Sequence, residues 1–74
     1  MRTYGKNRAD AGIRGYALLD DAIEIQFKDG GVYRYSARRP GAELVAEMRR
    51  LAMAGKGLST FINQNVREYE CRVR

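Results

Sequence analysis

Residues 22–36 constrain the fold of this chain more than any other stretch. Ile23, Ile25 and Phe27 alternate with polar residues, and this period of two predicts a strand with one apolar face and one polar face. An aspartate and two glycines, a typical turn sequence, follow at residues 29–31. A second short strand comes directly after them. The stretch therefore predicts a β-hairpin.

The pairing of the two strands depends on the length of the loop. A two-residue turn would place an arginine among the apolar side chains. A three-residue loop at residues 29–31, closed by a left-handed glycine, places Phe27 opposite Tyr33 and Ile25 opposite Tyr35. We predict this register. The apolar face then carries Ile23, Ile25, Phe27, Tyr33 and Tyr35, and the polar face carries Glu24, Gln26, Lys28, Val32, Arg34 and Ser36.

The segments on either side of the hairpin contain further strand signals. Residues 13–19 have the composition of a first strand, in which Gly15 indicates a bulge or a close approach of another segment. Tyr16 belongs either to the core or to the surface. Residues 70–73 alternate charged and apolar side chains, a pattern typical of a short exposed edge strand.

Two helices are predicted after the hairpin. In residues 42–54 apolar residues recur at i, i+4 and i+7 from Leu44, which gives one apolar stripe. Arg49 and Arg50 complement the helix dipole and belong either to a solvated helix face or to a binding patch. Residues 59–67 predict a short second helix with Ser59 as its N-cap. The sequence thus predicts an α+β fold, a three-stranded antiparallel β-meander packed against one main α-helix plus a short second helix.

The first twelve residues differ in composition from the rest. This segment contains three basic residues, Arg2, Lys6 and Arg8, but only one acidic residue, Asp10, and few apolar residues. We predict a basic flexible arm at residues 1–12 and a folded domain at residues 13–74. The arm is either an unstructured terminus or a segment that becomes ordered on a phosphate backbone.

Several of these motifs occur together in one known family. The Tyr-x-Tyr after the glycine turn is followed by Pro40, a helix rich in leucine and alanine, a Lys-Gly step, and then Phe61, Asn63, Val66, Arg67 and Tyr69. This order resembles the KTSC domain, which is named for the C-terminus of some lysyl-tRNA synthetases and also occurs as a stand-alone bacterial or phage protein. The resemblance implies a small α+β fold and no established activity, with RNA binding as a suggestion. It also singles out Asn63 and Arg67, which lie one helical turn apart.

Composition limits the chemistry of the chain. The 74 residues contain no histidine and one cysteine, Cys71, so the usual general base and a disulfide are both absent. No pair of carboxylates is placed for acid–base work. We therefore expect no catalysis, no cofactor and no metal site, and the lone cysteine favours a reducing cytoplasm. No signal peptide or membrane-spanning apolar run is present.

The charge and the aromatic residues indicate a partner. Fourteen Lys and Arg against nine Asp and Glu give a net charge of +5, which favours polyanions. We predict RNA, or single-stranded nucleic acid, bound through a basic sheet face and an adjacent arginine-rich loop. Tyr33 and Tyr35 are either core residues or base-stacking residues. The predicted binding residues are Lys28, Tyr33, Arg34, Tyr35, Arg38, Arg39, Lys56, Asn63 and Arg67.

The alternative is a protein-interaction module that docks onto the translation or transcription machinery. Such a contact would use apolar surface near Val32 or the edge strand near Val73. A self-pairing edge strand would also produce a dimer, so we expect a monomer or a weak dimer.

Overall fold

The architecture is an α+β domain in which two helices cover one face of an antiparallel sheet. In this computed structural model residues 2–5 and 12–74 are described. The described part contains five strands in the spatial order β1-β2-β3-β4-β5. The elements are β1 (Arg2–Thr3), β2 (Ile13–Leu18), β3 (Ala22–Phe27), β4 (Val32–Ser36), α1 (Ala42–Ala54), α2 (Leu58–Asn65) and β5 (Cys71–Arg72).

The central hairpin closes with a three-residue loop of the predicted kind, one residue earlier than predicted. The loop comprises residues 28–30. Phe27 N–H donates to the Gly31 carbonyl (2.8 Å), and Gly30 N–H donates to the Phe27 carbonyl (2.9 Å). Gly30 has the left-handed φ of 97° that this loop requires. Gly31 N–H also donates to Oδ1 of Asp29 (2.8 Å), which fixes the loop at this position.

The earlier loop shifts the predicted register by two residues. Tyr33 lies opposite Ile25 and Tyr35 opposite Ile23, so the predicted pairs were wrong. Because a shift of two preserves the alternation of side chains, each residue stays on its predicted face. Val32 on the polar face is nevertheless buried, since the backbone of residues 73 and 74 hydrogen-bonds to it.

The sheet has two strands beyond the predicted three-stranded meander, and one of them is the edge strand predicted at residues 70–73. At one edge β1 pairs with β2, with Arg2 opposite Tyr16. Tyr4 follows β1 and is buried, and its hydroxyl accepts a hydrogen bond from Leu58 N–H (3.0 Å). The basic arm was predicted for residues 1–12. Residues 2–5 of that segment pack on the folded domain, and residues 6–11 lie outside the described residues. At the other edge β5 pairs with β4, which confirms the predicted edge strand.

The first long strand contains the predicted irregularity. The pairing of β2 with β3 shifts between Ile13 and Gly15, so Arg14 is an extra residue in β2. Gly15 is buried. Tyr16 is 6% exposed and belongs to the core.

Both helices form largely as predicted. α1 has the predicted bounds and ends at Gly55, whose φ of 79° is left-handed. α2 begins one residue earlier than predicted and follows Gly57, so Ser59 lies inside the helix and is not its N-cap. The core between the helices and the sheet contains Ile23, Ile25, Tyr35, Val45, Met48, Ala52, Leu58 and Ile62.

The two late arginines of α1 have structural partners. Arg49 Nη1 donates to the carbonyls of Leu19 and Ala22, the latter at 2.9 Å. These bonds attach α1 to the β2–β3 turn. Arg50 pairs with Glu47 on its own helix. Neither side chain is a free cation of a binding patch.

Candidate functional site

The nine predicted binding residues are distributed over the whole domain. Lys28 lies in the hairpin loop at the start of β4, whereas Arg38 follows the end of that strand. The five residues of β4 span about 17 Å. Lys56 lies beyond the far end of α1, and thirteen helical residues span about 20 Å. The nine residues therefore do not form one site.

On the sheet face that was predicted to be basic, the positive charge of Arg34 is compensated by the carboxylate of Glu24. Arg34 lies opposite Glu24 in the β3–β4 pair. Its Nε and Nη2 both donate to Oε2 of Glu24, at 2.9 and 2.7 Å. The hydrogen bond and the negative charge of Glu24 raise the pKa of the Arg34 guanidinium. Arg34 therefore contributes less to the attraction of phosphates than an unpaired arginine would.

Tyr35 is a core residue. It is 5% exposed, and its ring packs among the apolar side chains under the helices. Burial, with smaller effects from Tyr33 and Tyr69, raises the pKa of the Tyr35 hydroxyl to about 12. Its ring has no free face on which a base could stack.

Tyr33 belongs to an aromatic cluster at the β4–β5 side of the sheet. The cluster comprises Phe27, Tyr33, Tyr35 and Tyr69. The centroid of Tyr33 lies 5.7 Å from that of Phe27 and 4.7 Å from that of Tyr69, in edge-to-face contacts. The guanidinium carbon of Arg72 lies 5.4 Å from the Tyr33 centroid, within cation–π range.

Arg38 and Arg39 lie in a turn that a single buried residue organises. Oγ of Ser36 accepts hydrogen bonds from the N–H groups of Arg38 (3.2 Å) and Arg39 (3.4 Å). Ser36 N–H donates to the Arg39 carbonyl (2.7 Å), and Gly41 N–H donates to the Ser36 carbonyl (3.1 Å). Ser36 is 5% exposed. We call residues 38 and 39 the arginine turn.

The side chains of the arginine turn are exposed. Within residues 2–5 and 12–74, the ion pairs are Arg34–Glu24 and Arg50–Glu47, so neither arginine of the turn has a carboxylate partner there. Both line a surface cleft with Glu70. The arrangement offers two unpaired guanidinium groups on a backbone held by four hydrogen bonds.

Asn63 and Arg67 are exposed but do not share a helix face. α2 ends at Asn65 and the chain is extended at Val66, so Arg67 lies outside the helix. The helix predicted for residues 59–67 had placed them one turn apart on a shared face, and this was wrong because the helix ends before Arg67.

Two residues at the aromatic cluster, Tyr69 and Arg72, were missing from the predicted binding residues. Tyr69 contacts Tyr33 and Tyr35, and Arg72 lies over Tyr33. The alternation at residues 70–73 was the signal for Arg72, because an edge strand beside β4 places one of its side chains opposite Tyr33.

Within the described residues, no group of three or more Cys, Asp and Glu side chains is placed to hold a metal ion. In the same residues, neither helix is long and apolar enough to cross a membrane.

Comparisons with protein-family models, with curated proteins and with solved structures found no match to this chain. The KTSC resemblance stays a prediction from the residues named above.

Proposed function

We propose that the protein is a small non-catalytic module that binds RNA or single-stranded nucleic acid, RNA in preference to DNA, with Arg38 and Arg39 as the phosphate contacts. The observation that carries the proposal is the arginine turn, where Ser36 holds the backbone of two exposed arginines. An arginine side chain keeps its charge at any physiological pH and matches the geometry of a phosphate. A fixed backbone lowers the entropy lost on binding.

The charge of the chain supports this proposal. The net charge of +5 attracts a polyanion over distances of about one Debye length, roughly 8–10 Å. Glu70 in the same cleft opposes that attraction. We therefore expect modest affinity that falls steeply with salt. The resemblance to the KTSC domain adds the suggestion of RNA.

Binding to fluorescently labelled oligonucleotides, followed by anisotropy across a salt series, tests the proposal. Single-stranded RNA, duplex RNA and single-stranded DNA are compared. The double variant Arg38→Ala/Arg39→Ala should lose most of the affinity and reduce the salt slope by about 1.4, or 0.7 for each phosphate contact to a single strand. The matched control Arg14→Ala/Arg50→Ala removes the same charge elsewhere and should keep the slope. Absence of binding by the wild-type protein at low salt contradicts the proposal.

A second candidate function is docking onto a protein of the translation or transcription machinery. It is favoured by a surface groove along α1, where Ala42, Val45, Ala46 and Met53 form an apolar lining beside Arg49 and Arg50. Met53 is 59% exposed. The matching partner is a segment whose apolar side chains fit this lining. Met53→Asp should abolish such an interaction in nuclease-treated extract and leave oligonucleotide binding unchanged.

We propose a monomer in a reducing cytoplasm. β5 has two residues, and a very short edge strand with charged neighbours disfavours pairing between copies. Sedimentation at several protein concentrations tests the monomer.

A further inference from the structure

Tyr69 lies across the tyrosines of β4. Its ring centroid is 4.7 Å from that of Tyr33 and 6.4 Å from that of Tyr35, and its plane is inclined by 74° and 73° to theirs. Despite these two contacts Tyr69 is 45% exposed. It is one of four large apolar or aromatic side chains in the described part of the chain that are more than a third exposed.

Part of the Tyr69 side chain stays open to solvent beside these contacts. Tyr33 and Tyr35 are two residues apart on β4 and therefore lie on the same face of the sheet. Tyr69 packs against both of them. The result is an aromatic side chain that two neighbouring rings support and that solvent still reaches.

Tyr69 is also next to the arginine turn. Glu70, the following residue, lines the cleft with Arg38 and Arg39, and its N–H donates to the Arg34 carbonyl (2.7 Å). Arg72 lies over Tyr33, one of the two tyrosines that Tyr69 contacts. The exposed ring thus belongs to a part of the surface that also carries guanidinium groups, a combination with which proteins bind a base and its neighbouring phosphates.

We infer that one unpaired base of a single-stranded nucleic acid stacks on the exposed side of Tyr69, while Arg38 and Arg39 contact the adjoining phosphates. This inference rests on the proposed function and specifies the strand and the stacking residue. In a duplex the faces of the bases are covered by their neighbours, so a duplex offers the arginines phosphates but offers Tyr69 no internal base.

The test compares wild-type protein with Tyr69→Ala and with the matched control Tyr69→Phe, which keeps the ring. The probes are a labelled single-stranded RNA, the same RNA paired with its complement, and an abasic oligonucleotide of equal length. Tyr69→Ala should weaken binding of the single strand by roughly 5- to 100-fold and leave binding of the abasic strand unchanged. Tyr69→Phe should bind like the wild type. Circular dichroism and thermal melting establish that each variant is folded.

A second measurement does not require removal of the ring. The chain contains no tryptophan, so Tyr69→Trp introduces a single tryptophan at the proposed stacking position, whose emission can be excited separately from that of the tyrosines. Its emission should be quenched by the single-stranded RNA and not by the abasic strand.

The outcomes separate the inference from the proposed function. If no nucleic acid binds at low salt, the proposed function fails and this inference fails with it. If Arg38→Ala/Arg39→Ala loses binding but folded Tyr69→Ala binds every probe like the wild type, the proposed function stands and the stacking role of Tyr69 is overturned. Equal affinity for the abasic and base-containing strands overturns it as well.

Discussion

Glu24 and Arg34 face each other across β3 and β4, and one carboxylate oxygen of Glu24 accepts hydrogen bonds from two nitrogens of Arg34, at 2.9 and 2.7 Å. The pair lies near the middle of the sheet face that the helices leave uncovered. Because the two charges compensate each other, this face is less positive than the sequence predicted. The unpaired cations of the arginine turn carry the proposed binding instead.

The first prediction follows from this pair. Arg34→Gln should leave the salt dependence of oligonucleotide binding unchanged, because Arg34 already has a carboxylate partner. Arg38→Gln removes the same charge and should reduce the slope by about 0.7, the value for one phosphate contact to a single strand. Anisotropy at five or more salt concentrations measures both slopes. An equal reduction in the two variants would show that Arg34 also contacts a phosphate.

The second prediction concerns stability at high pH. The pKa of the Tyr35 hydroxyl is about 12 in the folded protein and 10.0 without the fold. Between these values the unfolded chain has released the proton and the folded chain retains it, so rising pH favours unfolding. The stability that the protonated Tyr35 hydroxyl contributes is fully present below pH 10 and is lost as the pH rises to 12. The free energy of unfolding should fall by about 2–3 kcal/mol over this range. Tyr35→Phe keeps the buried ring without the hydroxyl. In urea melts from pH 8 to 12, the wild type should therefore lose more stability than this variant, and parallel curves would contradict the prediction.

The third prediction concerns the attachment of α1 to the sheet. Arg49 donates to the carbonyls of Leu19 and Ala22, and Arg49→Met removes both bonds while keeping much of the aliphatic side chain. The free energy of unfolding should fall by about 1.5–3 kcal/mol, the usual net contribution of hydrogen bonds that include a charged group. The control Arg50→Met removes a charge on the same helix, and its exposed pair with Glu47 should matter little. Equal melting temperatures for the two variants would refute the role of Arg49.

Local signals were sufficient to predict the central hairpin and both helices. The alternation of apolar and polar residues predicted the two faces of β3 and β4. The helical spacing of apolar residues from Leu44, followed by Gly55, predicted the bounds of α1. The sequence pattern was not sufficient to predict the register of β3 and β4, because a loop at residues 28–30 and a loop at residues 29–31 are both compatible with the two glycines. The side chain of Asp29 decides between them by accepting the N–H of Gly31.

The edge strands and the surface depend on contacts between distant segments. Arg2 and Thr3 form β1 because Tyr4 inserts into the core and its hydroxyl accepts the N–H of Leu58, 54 residues away. The first twelve residues show no hydrophobic periodicity from which this contact of Tyr4 could have been predicted. The same is true of Tyr69, whose role depends on the chain returning to β4 after α2. The arginine turn was predicted from its sequence, but the buried Ser36 that holds it was not.

The last prediction concerns Glu70, which lies between the arginine turn and Tyr69 in the proposed site. Glu70 lines the cleft with Arg38 and Arg39, follows Tyr69 directly, and forms no ion pair within the described residues. Its carboxylate repels a phosphate bound by the arginines, and this repulsion is strongest at low salt. Glu70→Gln keeps the size of the side chain and removes the charge.

This variant should therefore bind single-stranded RNA more tightly than the wild type, by roughly 2- to 10-fold at low salt, with the gain shrinking as salt is added. Glu43→Gln, at the exposed start of α1, makes the same change in net charge at a residue that does not line the cleft. If the two variants gain equally, net charge alone drives binding. A gain confined to Glu70→Gln places the bound phosphate beside residue 70, because an effect of net charge would not depend on which carboxylate was removed.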